Sequence, residues 1–279
     1  MEPKTVLITG TSSGIGHSLA LAFKANGCRV FATARKTTSI ADLEQKGIET
    51  LALEVTDSTS IRDLKAAVES RTNGKLDILI NNAGRNYTIP ALDAEMDEIR
   101  DVFETNVFAV MNMCQAFAPL LIASKGTIVQ IGSLAAVMPY VFGSVYNASK
   151  GALHSYTDTL RVELAPFGVR VLNVVTGGVK SDLSRVDRKL PQDSLYLPIV
   201  EEYERRQMYS QVVAVSSEEY AERVVKHVLY SNKDTAWEGG KAWLVWFLTT
   251  FLPRQVLDIY MTRTFKLWKL SQASMKKLD

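Results

Sequence analysis

The sequence predicts an α/β fold, a doubly wound parallel sheet with helices on both faces, in a single domain with a C-terminal helical extension. Short runs that are apolar on both faces alternate with segments of helical periodicity, as in a buried parallel sheet. The first run leads directly into a glycine-rich turn, and no repeat or linker divides the 279 residues. A composition of 47% hydrophobic and 22% charged residues is that of an ordinary globular chain.

Six strands are predicted in order along the chain, and a seventh strand is predicted at the sheet edge, at Thr235–Gly240. The six are Thr5–Gly10, Cys28–Ala34, Ile48–Val55, Leu76–Asn82, Gly126–Ser133 and Val169–Thr176. Parallel strands joined by right-handed crossovers end at one edge of the sheet, which is where such folds bind ligands. Residues at the carboxyl ends of these strands are therefore the candidates for a functional site.

The chain is interpreted as a domain over residues 1–240 followed by an extension over residues 241–279. Residues 181–216, the least regular segment, are predicted to form a substrate loop. Its bases are Arg185, Arg188, Lys189, Arg205 and Arg206. These bases could bind a phosphate-bearing substrate, but the glutamates between them equally favour a solvated amphipathic helix.

The extension begins with Ala242–Pro253, twelve residues without a charge. A membrane-spanning helix needs about 20 apolar residues, so this run is predicted to be a helix that ends at Pro253 and forms one wall of an apolar substrate entrance. After it, Leu257, Met261, Phe265 and Trp268 recur at helical spacing, with Lys and Arg on the other face. Two interpretations remain open: an interfacial helix on an anionic membrane or lipid-droplet surface, or packing against the domain or a partner subunit.

Bulk charge and cysteine content exclude several classes of function. A net charge of +2 gives no case for a nucleic-acid partner. Cys28 and Cys114 lie in apolar runs, so they indicate buried side chains, with neither a disulfide framework nor a metal site. An apolar strand follows almost directly on Met1, and no signal peptide is expected. We expect a cytoplasmic protein, with peripheral contact at an endoplasmic reticulum or lipid-droplet surface if the extension is interfacial.

The turn after the first strand, TGTSSGIG at Thr9–Gly16, has the features of a phosphate site. Its glycines would let the backbone approach a pyrophosphate, and the following helix N-terminus would supply partial positive charge. A purely structural turn is the alternative. The second strand ends in Arg35 and Lys36 with no carboxylate, which favours NADP(H) over NAD. The cofactor residues predicted in these segments are Gly10, Ser12, Ser13, Gly14, Ile15, Gly16, Arg35 and Lys36.

Three further segments carry the candidate chemistry. NNAG closes the fourth strand, Ser133 ends the fifth, and YNASK at Tyr146–Lys150 opens the next helix. Residues four apart share a helix face, so the Lys150 ammonium should lower the pKa of the Tyr146 phenol. Such a phenol can exchange a proton with a carbonyl or alcohol oxygen. None of the three histidines has a partner at ligand spacing, and His154 is interpreted as an ordinary core or surface residue.

Together these motifs resemble the short-chain dehydrogenase/reductase family over roughly Thr5–Ser181, which implies a Rossmann-type sheet. The resemblance implies hydride transfer from a nicotinamide to a carbonyl carbon, with Tyr146 as proton donor. It also implies that Lys150 lowers the tyrosine pKa and holds the nicotinamide ribose. Ser133 would polarise the carbonyl, and Asn106 would hold a relay water. The remaining implied cofactor contacts are Val55, Asp57, Asn82, Ala83, Gly84, Tyr146, Lys150, Val179 and Ser181.

The chain departs from the usual family pattern in two places. TGGVKSD replaces the Pro-Gly after the sixth strand, which we expect to loosen the loop over the nicotinamide. Glu54 stands where an aspartate is commoner, and the adenine contact is expected from the Val55 backbone instead. Within the family, the PALDA, NVFAVMNMC and PFGVRVLNVVTGGV stretches resemble fungal NADPH-dependent 1-acyldihydroxyacetone-phosphate reductases and related reductases of secondary metabolism.

The leading hypothesis is NADPH-dependent reduction of a lipophilic ketone to a secondary alcohol. Acyl-dihydroxyacetone phosphate is the first substrate candidate and a polyketide or terpenoid ketone the second; a steroid or retinol-type dehydrogenase is a looser alternative. A non-enzymatic NADPH-binding scaffold is the alternative from another class. Met138, Tyr140 and Phe142 are expected to border the substrate pocket. A homo-oligomer is a family expectation.

Overall fold

The computed structural model describes residues 2–181, 188–212 and 214–275, and its centre is a seven-stranded parallel sheet. The strands are β1 Thr5–Ile8, β2 Arg29–Ala34, β3 Glu49–Ala52, β4 Ile78–Asn81, β5 Thr127–Ile131, β6 Arg170–Thr176 and β7 Thr235–Glu238. Their order across the sheet is β3-β2-β1-β4-β5-β6-β7. The predicted doubly wound fold is confirmed, and every predicted strand is present. Each strand is shorter than the apolar run that predicted it, because the end residues of these runs belong to the flanking turns.

Helices cover both faces of the sheet. They are α1 Gly14–Ala25, α2 Ala41–Gln45, α3 Ser58–Arg71, α4 Met96–Phe103, α5 Ala109–Ser124, α6 Ser144–Leu164, α7 Val200–Val212, α8 Ser217–Tyr230, α9 Ala242–Phe251, α10 Gln255–Thr264 and α11 Trp268–Met275. One core lies under α1 and α8 around Phe23 and Tyr220, and the other lies under α3, α5 and α6 around Phe117. Burial on both faces explains why the strands are apolar throughout.

The strand order reverses beside β1, which pairs with β2 on one side and with β4 on the other. The chain leaves β1 and β4 toward opposite faces of the sheet, so their following loops separate at the carboxyl edge. A crevice at such a switch point is the usual ligand site of an open parallel sheet.

A single helical run among the described residues, Met96–Ser124, is long and apolar enough to cross a membrane. A π turn at Glu104–Phe108 joins its two helices. Met113, Phe117 and Leu121 of this run are buried against the sheet. It is therefore a core helix, and its packing against the sheet accounts for its apolar composition.

Three of the four residues in the apolar stripe of the extension face the protein itself, while Trp268 is exposed. Leu257 and Met261 are buried, and Phe265 is fully inaccessible. The Phe265 ring packs at 6.1 Å on Phe142, whose ring also meets Tyr203 at 5.6 Å. Of the two interpretations of this stripe, packing against the domain is the one that the structure shows. The division of the chain at residue 240 stays a prediction.

Replacing Phe265 with alanine should destabilise the whole domain. Phe265→Ala removes a buried ring from this aromatic cluster, and such truncations cost about 3 kcal/mol or more in the free energy of unfolding. Urea unfolding measures the change. Trp268→Ala, at a ring that is 49% exposed, is the control and should shift the free energy by only about 0.5 kcal/mol. Equal effects of the two substitutions would show that α10 is not part of the folded core.

Candidate active site

A cleft of about 930 Å³ lies at the carboxyl edge of the sheet, where β1, β4, β5 and β6 end. The sequence-predicted residues that line it are Gly10, Ser12, Ser13, Gly14, Ile15, Gly16, Arg35, Val55, Asn82, Ala83, Gly84, Ser133, Met138, Tyr140, Tyr146, Lys150, Val179 and Ser181. One side of the cleft holds the glycine-rich turn and the other holds the tyrosine, the lysine and the serine. The structure therefore brings the two predicted halves of the site into one cavity.

Four predicted site residues lie outside the lining of this cleft: Asp57, Lys36, Phe142 and Asn106, the last of which is described below. Asp57 is the N-cap of α3, where its carboxylate accepts the Thr59 N–H at 2.8 Å. Lys36 is exposed at the turn after β2. Phe142 was predicted to border the substrate pocket, but its ring is 5% exposed inside the aromatic cluster under α10. The Phe142 backbone is in the left-handed region, with φ of 61°.

The glycine-rich turn is held close to the end of β4. Asn82 Nδ2 donates to the carbonyl oxygens of Thr9 and Gly10, each at 2.9 Å. A Cβ on Gly10 would lie 2.9 Å from Ala83 Cα, and one on Gly16 would lie 2.2 Å from the Gly10 oxygen. Glycine is therefore required at both positions, because the neighbouring backbone atoms leave no room for a Cβ.

The N-terminus of α1 opens into the cleft without a side-chain cap. Ser13 is the N-cap residue, and its hydroxyl makes no capping hydrogen bond. The first N–H groups of a helix have no partner within the helix, and they bind anions well because of the helix dipole. Arg35 lines the same end of the cleft. The Glu54 carboxylate nearby accepts hydrogen bonds from Thr56, from the hydroxyl at 2.9 Å and from the N–H at 3.2 Å. The N–H groups of the α1 N-terminus and the Arg35 cation together fit a dinucleotide with an added phosphate.

The candidate catalytic side chains lie at the opposite end, where Lys150 is buried and Ser133 and Tyr146 are half-buried. Burial raises the pKa of Tyr146 above its ordinary value, and the hydrogen bond with Ser133 and the Arg206 guanidinium offset part of that rise. Lys150 Nζ donates to the Ile131 carbonyl at 2.8 Å and lies 5.9 Å from the Tyr146 ring centre. Burial lowers the pKa of Lys150 to about 8. The sequence predicts that Lys150 lowers the pKa of Tyr146; in the structure burial raises that pKa, and Ser133 and Arg206 are the groups that offset the rise.

Asn106 lies in the π turn and connects the loop after β4 with α6. Its Nδ2 donates to the Arg85 carbonyl at 2.8 Å and to Ser149 Oγ at 3.0 Å, while its Oδ1 accepts the Arg85 N–H at 2.8 Å. The π turn is an interruption of helical geometry of the kind often found at functional sites. Asn106 thus positions the two segments that flank the cleft, and its role toward a water stays a prediction.

His154 contacts the candidate catalytic serine directly, which sequence reasoning missed. Its Nε2 accepts the Ser133 backbone N–H at 3.2 Å. Burial and the Lys150 ammonium lower the pKa of His154 to about 4, which keeps the imidazole neutral and able to accept. A Cβ on Gly132 would lie 2.3 Å from that nitrogen. The spacing of Tyr146, Lys150 and His154 at every fourth residue of α6 was the available signal.

The TGG departure fixes the loop after β6, contrary to the expected loosening. The Gly177 N–H donates to the Glu238 carbonyl at 2.8 Å, a bond that proline cannot make. Gly178 and Gly240 exchange backbone hydrogen bonds at 3.0 and 2.8 Å. A Cβ on Gly177 would lie 2.3 Å from the Gly240 oxygen. Glycine at position 177 therefore permits a close pairing with the end of β7.

The remaining wall of the cleft comes from the C-terminal helices. Its apolar residues are Leu244, Val245, Leu248, Leu257 and Tyr260. From α7, Arg206 also reaches the cleft; its guanidinium lies 3.5 Å from the Tyr140 ring centre, and its Nε donates to the Val141 carbonyl at 3.0 Å.

The other predicted loop bases contribute less to the cleft. Arg188 pairs with Glu98 at 3.3 Å and Arg205 with Glu202 at 2.6 Å. Lys189 is exposed, and Arg185 lies outside the described residues. Arg205 lies on α7 with half of its side chain exposed, as the amphipathic-helix interpretation expects, whereas Arg188 precedes that helix and Arg206 is a cleft residue.

Comparison with known proteins agrees with this geometry. A family model described as short chain dehydrogenase matches residues 4–191. The short-chain dehydrogenase virD of Hypocrea virens is 39% identical, over 99% of this chain and 98% of that protein. An NADPH-dependent 1-acyldihydroxyacetone phosphate reductase of Schizosaccharomyces pombe is 44% identical, over 70% of this chain and 68% of that protein.

Among solved structures, a short-chain dehydrogenase of Burkholderia cenocepacia in complex with NADP superposes with a TM-score of 0.74. It is 26% identical, and the match covers 93% of this chain and 98% of that one. Sequence, fold and site geometry therefore agree, and the chain belongs to the short-chain dehydrogenase family of nicotinamide-dependent oxidoreductases, which act on CH–OH and C=O groups.

Proposed function

We propose that the protein is an NADPH-dependent reductase that converts a ketone on a lipophilic substrate to a secondary alcohol. The observation that carries the proposal is the group of Ser133, Tyr146 and Lys150 at one end of the cleft, with Arg35 and the uncapped α1 N-terminus at the other. An apolar wall from α9 and α10 closes the tyrosine end.

The preference for NADP(H) rests on charge at the end of β2. Arg35 lines the cleft there, and the chain has no carboxylate at that strand end to bind a ribose 2′-hydroxyl. Ser12 and Ser13 add hydroxyl donors, and the Glu54 carboxylate is bonded to its own turn. The relatives with NADPH or NADP in their names support the same assignment.

The chemistry follows from the protonation states of the buried groups. When bound, the nicotinamide supplies the hydride for the carbonyl carbon. The Ser133 hydroxyl would donate to the carbonyl oxygen, and Tyr146 would transfer its phenolic proton to that oxygen as it gains charge. Because burial raises the pKa of Tyr146, the phenol is protonated near pH 7, as a proton donor for reduction must be. Lys150, with a pKa of about 8, remains mostly cationic at that pH beside the tyrosine.

Substrate class is supported by the character of the walls. Met138, Leu244, Leu248 and Leu257 present apolar surface, which fits a lipophilic ketone. Arg206 adds a cation beside Tyr140, which would suit the phosphate of an acyl-dihydroxyacetone phosphate. A polyketide or terpenoid ketone of fungal secondary metabolism fits the apolar walls without using that cation. The homo-oligomer expected from the family stays a prediction.

Removing the phenolic hydroxyl should strongly reduce turnover without unfolding the protein. Tyr146→Phe should lower kcat by about 100-fold or more, the usual contribution of a positioned proton donor. NADPH consumption is followed over a panel that includes an acyl ketone phosphate and the unphosphorylated ketone. Tyr156→Phe, on the same helix but outside the cleft, is the control and should retain activity. Unchanged turnover by Tyr146→Phe would reject the mechanism, and a wild-type protein that binds NADPH but reduces nothing in the panel would favour the scaffold alternative.

Cofactor choice should depend on Arg35. Arg35→Gln removes a charge-assisted hydrogen bond to the ribose phosphate, worth about 1.5–3 kcal/mol, so kcat/KM for NADPH should fall roughly 10- to 100-fold. The value for NADH should change little. Lys36→Gln, at an exposed residue outside the cleft, is the matched control. An equal loss with both cofactors would contradict a phosphate contact by Arg35.

His154 should affect the chemical step by holding Ser133. His154→Leu leaves the Ser133 N–H without its acceptor, at a cost of about 1–2 kcal/mol, and kcat should fall about tenfold. NADPH affinity, measured by fluorescence, should stay unchanged because His154 does not line the cleft. His154→Gln offers a new acceptor and should recover part of kcat. Equal kcat in the Leu and Gln variants would show that the hydrogen bond does not matter.

A further inference from the structure

We infer that the outer face of α9 docks on an anionic lipid surface, so that the lipophilic substrate reaches the cleft from the lipid. The docking itself is independent of the reaction, and only the path of the substrate rests on the proposed function. This face differs from the stripe of Leu257, Met261 and Phe265, which is buried.

An aromatic row on α9 is the first observation. Trp243, Phe247 and Phe251 lie four residues apart and are 68%, 40% and 61% exposed. Their rings touch in sequence, with Trp243 and Phe247 stacked at 6.0 Å and Phe247 and Phe251 at 5.2 Å. Three adjoining rings in solvent form the kind of continuous apolar patch that marks an interaction site.

The row cannot turn inward, because the opposite face of α9 is already packed. Ala242 and Val245 are buried with Val175 of β6 and Leu134. The helix has ten residues, about 15 Å in length, so it is too short to cross a bilayer and would lie flat on one. Aromatic rings at the level of the lipid headgroups are typical of interfacial helices.

Charge identifies the partner. Lys241 directly precedes the helix and Arg254 follows it, and both are exposed. No Asp or Glu lies between Glu238 and Asp258, and Glu238 is paired with His227 at 2.8 Å. A cation at each end of a flat aromatic helix complements anionic headgroups. A second copy of the chain would bring these cations against their counterparts across a two-fold axis, with no carboxylate in the segment to pair with them.

The helix that carries the docked face, α9, also lines the cleft. Leu244 and Leu248 of α9 line the cleft, as do Leu257 and Tyr260 of α10. An apolar molecule that leaves the lipid beside the aromatic row would therefore meet an apolar wall that leads to Tyr146. This arrangement would spare a lipophilic ketone the cost of crossing water.

Flotation of the full chain with lipid vesicles tests the docking. The wild type should float with vesicles of phosphatidylcholine and phosphatidylserine and bind pure phosphatidylcholine less. Phe251→Ser should weaken binding about tenfold or more, the effect of losing one buried aromatic side chain. Phe167→Ser, at a ring of similar exposure (54%) after α6, is the matched control and should bind as the wild type does. Arg254→Glu should remove the dependence on phosphatidylserine.

Three results would overturn the inference: no flotation of the wild type, equal binding by Phe251→Ser and the wild type, or a dimer in sedimentation velocity that Phe251→Ser dissociates. Turnover of a short, water-soluble ketone by the same variants separates docking from chemistry. Phe251 and Arg254 do not line the cleft, so both variants should retain that turnover. Flotation without any ketone reduction would support the docking and reject the proposed function.

Discussion

The junction between β1 and β4 is the interaction on which the site depends. Thr9 Oγ1 accepts the N–H groups of both Asn82 and Ala83 at 3.0 Å, and the Asn82 amide returns two bonds to the backbone of Thr9 and Gly10. This network ties the turn before α1 to the loop after β4, which Asn106 in turn connects to α6. The dinucleotide end and the tyrosine end of the cleft are therefore held in a fixed position relative to each other. Glycine at 10 and 16 is a consequence, because the network leaves no room for a side chain there.

Burial acts on all three titratable groups behind the cleft in the same direction, toward the neutral form. It raises the pKa of Tyr146, lowers that of Lys150 to about 8 and lowers that of His154 to about 4. A neutral imidazole can accept the Ser133 N–H, and a neutral phenol can donate its proton. The Arg206 guanidinium on α7 offsets part of this trend for Tyr146, and the Lys150 ammonium on α6 lies 5.9 Å from the centre of the tyrosine ring. Burial of the site thus favours the protonation states that reduction needs, while the cations would stabilise the charge that forms.

The sequence predicted the sheet and most of the cleft because those features are local or periodic. Apolar runs identified each strand, the glycine turn, NNAG and Ser133 lie at strand ends, and Tyr146–Lys150 lies in the helix that follows the fifth strand. Contacts between residues that are distant in sequence were not predictable. An amphipathic pattern shows that α10 has an apolar stripe but not what covers it, and Phe142 was apolar near the serine but packs away from the cleft. His154 gains its role only from Gly132, whose missing side chain lets the imidazole approach.

The departure at Gly177 and the C-terminal extension are two parts of one feature. Gly177 and Gly178 pair with Glu238 and Gly240, and α9 begins two residues later. The loop after β6 therefore shares backbone hydrogen bonds with the residues that lead into the first helix of the apolar wall. A proline at 177 would remove the N–H from these hydrogen bonds and press its ring against the Gly240 oxygen. Glycine there is what allows the extension to lie against the cleft, with its inner face as the wall and its aromatic row turned outward.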